Sequence, residues 1–171
     1  MIMYRNLVIG YGNLDRMDDG IAFYVVNELR CRLGQKPLGE YNTSLEQLGA
    51  HHDSIFIRQL VPELTDTAST YNQIVFVDAH ARKYRQKIVF ARIYPGNVSA
   101  TFTHLMHPSG FLLMIKKFNA HEPVGYLLSI QGYRFDFGRG LSAATKKLVN
   151  PAVNIIWNLF FYTIGEAKCH F

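Results

Sequence analysis

The sequence predicts an α/β protein, a three-layer sandwich with a mostly parallel, roughly five-stranded twisted sheet and helices on both faces. Two observations carry this. Five short runs rich in β-branched and aromatic residues read as strands covered on both faces, and segments of helical spacing lie between them. That alternation gives a parallel sheet with right-handed crossovers. At 171 residues the chain is expected to form a single domain, 1–171, long enough to bury a proper core.

The elements follow in order. "NLVIG" (6–10) is the first strand, and Ile21 to Leu33 is a helix with Ile21, Tyr24, Val25 and Leu29 on one stripe. "SIFIRQL" (54–60) precedes a short helix from about Pro62 to Ser69. "QIVFVDA" (73–79) and "KIVFARIY" (87–94) are strands. Ser109 to Phe118 is a helix with Phe111, Leu112 and Ile115 inward. "GYLLSIQG" (125–132) is the fifth strand, and a last helix runs from near Ser142 toward Ile164.

Apolar residues make up 49% and charged residues 18% of the chain, which excludes a disordered segment. The net charge of +5, from 18 Lys and Arg against 13 Asp and Glu, is scattered apart from Arg82, Lys83, Arg85 and Lys87. One such local group reads first as a solvated face, so no nucleic acid is expected as partner. Cys31 and Cys169 sit far apart with no CxxC spacing, which leaves no zinc knuckle or disulfide framework. "MIMYRNLVIG" lacks the apolar run and cleavage site of a signal peptide. "AVNIIWNLFFYTIG" is too short to span a bilayer. The expectation is a soluble cytoplasmic protein without a membrane partner.

In parallel sheets, ligands sit beyond the carboxyl ends of the strands. Gly10-Tyr11-Gly12-Asn13 follows the first strand, as a phosphate-binding turn would. A dinucleotide fingerprint, however, needs a third glycine and a free helix N-terminus. Here Asp15 takes that glycine's place, and Asp18 and Asp19 open the helix. Polyphosphate would be repelled, whereas a cation would be attracted. One acid at a helix start is explained by capping; two in a row are more than a cap requires.

Asp78, at the end of "IVFVDA", is a second candidate, against an N-cap or salt bridge as the ordinary role. His80 behind it reads as a surface histidine. His104 and His107 in "THLMHPSGFLL" stand just ahead of a helix and are candidates for a third ligand. His51, His52 and Asp53 precede a strand, at the wrong end of the sheet, and read as structural. Two carboxylates and an imidazole at one sheet edge suit a divalent transition metal such as nickel or zinc. There is no HExxH, no GxSxG and no Cys–His pair to support a nucleophilic mechanism.

The order "GYGNLDRMDDG", "RQLVPEL", "IVFVDA", "THLMHPSGFLLMI" and "FDFGRGLSAA" resembles the hydrogenase maturation proteases over nearly the whole chain. The resemblance implies a five-stranded α/β sandwich and an endopeptidase that removes the C-terminal extension of a [NiFe]-hydrogenase large-subunit precursor after nickel insertion. It implies that the precursor supplies the nickel as recognition element, so the isolated protein need not hold a metal. It places Asp19, Asp78 and His104 as nickel contacts, with His107 the runner-up and Asp19 and Asp78 as catalytic carboxylates. The precursor, and other hydrogenase assembly proteins, are the partners it implies. Arg16, charged where an apolar residue would be ordinary, is expected to point to solvent. Arg82 to Lys87, beside Asp78, is an expected precursor contact. The alternatives are a non-catalytic nickel-sensing assembly factor, a germination-protease-like peptidase of the same fold, and a nucleotide-binding module.

Overall fold

Strands β1 (Asn6–Tyr11), β2 (His52–Ile57), β3 (Gln73–Ala81), β4 (Ile88–Ile93) and β5 (Val124–Gly132) form one sheet in the order β2-β1-β3-β5-β4. All neighbours are parallel except β4, which runs antiparallel to β5 at the sheet edge. The expected α/β sandwich is what the chain adopts. This computed structural model describes residues 4–96 and 106–162.

The helices are α1 (Ile21–Arg32), α2 (Thr65–Ala68), α3 (Pro108–Phe118), α4 (Ala143–Lys146) and α5 (Val149–Phe161). Side chains alternate across a strand, and that alternation divides the core in two. Val8, Val75, Val77, Leu128 and Ile130 face α1 and α5, where Val25, Leu29, Val153 and Ile156 meet them. Leu7, Ile9, Ile74 and Phe76 face the other way, against Ala68 of α2 and Phe111, Leu112 and Ile115 of α3. The last three are inward as their spacing predicts. Tyr24 is not on the buried stripe of α1, which is Ile21, Ala22, Val25, Val26 and Leu29.

Some boundaries differ from expectation for physical reasons. β2 stops at Ile57 because Arg58 and Gln59 turn to solvent. The Pro62 segment splits into a 3-10 turn, Pro62–Leu64, and the single turn of α2. The expected last helix is two helices, α4 and α5. Ser142 caps the first through its hydroxyl, and Pro151 lies in the first turn of the second, where a missing N–H costs no intrahelical bond. Its expected extension to Ile164 lies outside the described residues.

β1 connects outward to β2, and the chain then returns to place β3 on the other side of β1. The strand order therefore reverses between β1 and β3. A crevice opens at such a reversal, beyond the carboxyl ends of the strands.

Candidate functional site

On the α2/α3 side of the sheet, the apolar alternation gives way to polar side chains at the carboxyl end. Leu7 and Ile9 of β1 are followed by Tyr11, and Ile74 and Phe76 of β3 by Asp78 and His80. Ser129 stands opposite Asp78 on β5. α3 covers the apolar half, and His107 caps its start. Tyr11, Asp78, His80, Lys83, His107 and Ser129 line one cavity of about 440 Å³.

Asp78 is not at the tip of its strand, because β3 runs on to Ala81. The ladder to β1 nevertheless ends at Gly10 opposite Val77, so Asp78 is the first β3 residue past β1. Burial pushes its carboxyl up to about 6, with Asp19 adding to the rise. Hydrogen bonds from the Ala79 N–H and the Tyr11 hydroxyl, with Lys83 nearby, oppose it. The Ala79 bond is 2.8 Å. Tyr11 is held well above its ordinary value by burial first, then by the charge and hydrogen bond of Asp78.

The two adjacent acids divide their roles. Asp18 is fully buried. Its carboxylate accepts from the Tyr133 and Arg134 N–H groups, the Ser142 N–H and hydroxyl, and the Thr145 hydroxyl, at 2.6 to 2.9 Å. Burial pushes this carboxyl up, but those bonds outweigh it and hold it down at about 2. Asp18 thus ties the turn after β1 to the loop after β5. Asp19 is half-buried, and its Oδ2 accepts from the Asn13 N–H at 2.8 Å. Its charge reaches Asp78 across the crevice. Gly12 is required by this turn: its φ is +150°, and a Cβ there would run into the Asp19 carbonyl oxygen. Arg16 points to solvent as expected, and its guanidinium donates to the Phe135 carbonyl.

His107 is exposed and lines the cavity. Its Nδ1 accepts from the Ser109 N–H at 3.4 Å, which leaves Nε2 for the cavity. Burial and then Lys83 lower its pKa, favouring the neutral ring. His104 lies outside the described residues. His80 is not a surface histidine, since alternation turns it inward. Its Nδ1 is 2.9 Å from the Ser129 hydroxyl, and its buried Nε2 has no partner among the described residues. Among those residues, no three His, Cys, Asp or Glu side chains form a group that can hold a metal by itself.

The cluster at the opposite end of the sheet is structural, as expected. Asp53 accepts from the buried Tyr71 hydroxyl at 2.7 Å, and the His52 ring stacks on Phe160. Sequence reasoning did not pick out Tyr11 or Ser129, although extending the period of two from Leu7 and Ile9 points Tyr11 at Asp78.

Solved structures share this fold. The hydrogenase maturating endopeptidase HybD from E. coli superposes with a TM-score of 0.63 at 19% identity, over 89% of both chains. The [NiFe] hydrogenase maturation protease HycI from Thermococcus kodakarensis KOD1 gives 0.63 at 16%, over 92% of each. The hydrogenase 2 maturation peptidase from Thaumarchaeota archaeon SCGC_AB-539-E09 gives 0.58 at 18%, over 92% of this chain and 98% of that one. The chain has the fold of the hydrogenase maturation endopeptidases. No protein-family model matches the sequence, and no curated protein does. Within that maturation-endopeptidase fold, the Asp78 cavity opens at the strand-order reversal. No helix among the described residues is long and apolar enough to cross a membrane.

Proposed function

We propose that this chain is an endopeptidase that removes the C-terminal extension of a [NiFe]-hydrogenase large-subunit precursor once nickel has been inserted. The observation that carries the reading is the convergence of Tyr11, Asp78 and His107 on one cavity, with the Asp19 charge acting on Asp78 from across the crevice. The solved structures of the same fold named above are endopeptidases of hydrogenase maturation.

Asp19 and Asp78 give the site negative charge where a phosphate-binding turn would have an open helix end, which favours a cation. The nickel belongs to the precursor, where it serves as recognition element and polarises the scissile carbonyl or a water. Asp19, Asp78 and a histidine contact it from this side. We assign that histidine to His107, because it lines the cavity; His104 is the competing assignment. Nickel capture at His107 Nε2 shifts the ring proton to Nδ1 and gives up the 3.4 Å contact to Ser109. Asp78, ionised above about pH 6, takes the proton of the attacking water as general base. We place this activity in the cytoplasm.

The test is a processing assay. Purified protein is mixed with nickel-loaded and nickel-free large-subunit precursor, and the tail is followed by mass spectrometry. Cleavage of the nickel-loaded form alone is expected. Binding without cleavage would assign the chain to a non-catalytic assembly role, and equal cleavage of both forms would remove nickel as recognition element.

A further inference from the structure

We propose that the free edge of β3 from Asp78 to Ala81 is the binding site for the peptide to be cut, which adds to the sheet there as a short extra strand. The inference rests on the endopeptidase reading and specifies how that site holds its substrate. β3 pairs with β1 only as far as Val77, but with β5 as far as Ala81. Asp78, Ala79, His80 and Ala81 therefore have a strand neighbour on one side only. Main-chain N–H and C=O groups of successive residues point to alternate edges, so part of this segment's ladder faces the space that β1 vacates.

The cavity adjoins that edge and extends from it over the α3 face of β3 and β5, where Leu127 and Ser129 also line it. Asp78, Ala79, His80 and Ala81 all line it. Yet Ala79 packs its side chain against the α1 side of the sheet, opposite to the face carrying Asp78 and His80. Asp78 and His80 meet the cavity with their side chains, so Ala79 meets it with its main chain, where β1 no longer covers the strand. The Ala79 N–H is taken by the Asp78 Oδ1, not by a neighbouring strand. A four-residue strand is about 13 Å long, and an extended peptide laid along it passes directly beside the Asp78 carboxyl.

Two further features fit this occupant. The His80 Nε2 is buried on the cavity wall without a partner, and a peptide brings both donors and acceptors to it. An added strand also sets register, because its hydrogen bonds recur every second residue. The scissile bond is then positioned by main-chain pairing, largely independent of which side chains flank it.

The experiment replaces each residue around the cleavage junction of a nickel-loaded precursor by proline, and separately by alanine, and measures kcat/KM by mass spectrometry. Proline removes the N–H, whereas alanine removes only the side chain. Proline is expected to lower kcat/KM by about tenfold or more at every second position, with alanine tolerated there. Tolerance of proline throughout, or equal losses with alanine, overturns the strand pairing while the endopeptidase reading stands. An unmodified nickel-loaded precursor left uncut overturns both.

Discussion

Tyr11 at the end of β1 and Asp78, the first β3 residue past the β1 ladder, line one cavity and act on each other's ionisation. The Tyr11 hydroxyl favours ionised Asp78, whereas burial and the Asp19 charge favour its neutral form. Two substitutions should therefore move the Asp78 pKa in opposite directions. Tyr11→Phe removes a stabilising donor and raises it above about 6; Asp19→Asn removes a like charge and lowers it. Carboxyl NMR titration of the two variants checks the pair, and a shift of the same sign in both would sink this account. The acidic limb of the wild-type pH–kcat/KM profile should fall near the same value.

Stability should carry the same signature. The Asp78 carboxyl rises from an ordinary 3.8 to about 6 on folding, so the folded state holds the proton more tightly. Its favourable contribution is full below about pH 4 and is lost as pH rises through about 6. Asp78→Asn keeps an acceptor for Ala79 and Tyr11 but removes the buried charge. The variant should exceed wild type at pH 7.5 by on the order of 2 kcal/mol, and by little at pH 4. Denaturant unfolding at both pH values measures the difference, and an unchanged gap would show that Asp78 is not the titrating group.

Alanine scanning of the two histidines separates the ligand assignments. His107→Ala should lower processing by about a hundredfold or more, and His104→Ala should not. His107 also caps α3, so His107→Asn, a strong N-cap residue, controls for helix loss. It should restore thermal stability without restoring cleavage. The reverse result, with His104→Ala alone inactive, would return the nickel contact to His104.

Arg82, Lys83, Arg85 and Lys87 lie on the loop between β3 and β4 beside the cavity, and among the described residues none forms a salt bridge with a carboxylate. A loop of unpaired cations steers an acidic surface toward the site. Reversing Lys83 and Arg85 to Glu should weaken precursor binding by roughly tenfold at low salt, with the gap closing at high salt. Titration calorimetry or surface-capture binding at two ionic strengths reads this. Equal affinity at low salt would remove the loop from the interface.

The architecture was legible because its signal is periodic. Runs such as "IVFV" can be buried on both faces only in a covered sheet, and Phe111, Leu112 and Ile115 keep helical spacing. Asp78 was legible as an acid closing an apolar run, although β3 continues past it to Ala81. What escaped reading depends on contacts between distant segments. Asp18 and Asp19 are adjacent and chemically alike. Only the approach of Ser142 and Thr145, well over a hundred residues away, makes one a buried strut and leaves the other beside the crevice. His80 reads as a surface residue if β3 ends at Ala79, but the strand runs two residues further and turns it into the cavity wall.

The division between the two acids yields a last prediction. Asp18 receives its bonds from the main chain at Tyr133, Arg134 and Ser142 and from the hydroxyls of Ser142 and Thr145. Its carboxyl, at about 2 against an ordinary 3.8, contributes stability that is present above about pH 4 and lost as pH falls through about 2. Asp18→Asn places an NH₂ group among N–H and O–H donors, leaving buried donors unpaired. The expected cost is about 2–4 kcal/mol at pH 7, shrinking at pH 3, where Asp18 of the unfolded wild-type chain is already largely protonated. Asp19→Asn should instead abolish processing with little effect on unfolding, because Asn can still accept the Asn13 N–H through its amide oxygen. Urea unfolding and the processing assay on both variants read the two effects separately. If Asp18→Asn unfolds like wild type, or Asp19→Asn still cleaves, the structural and functional roles have been assigned to the wrong acids.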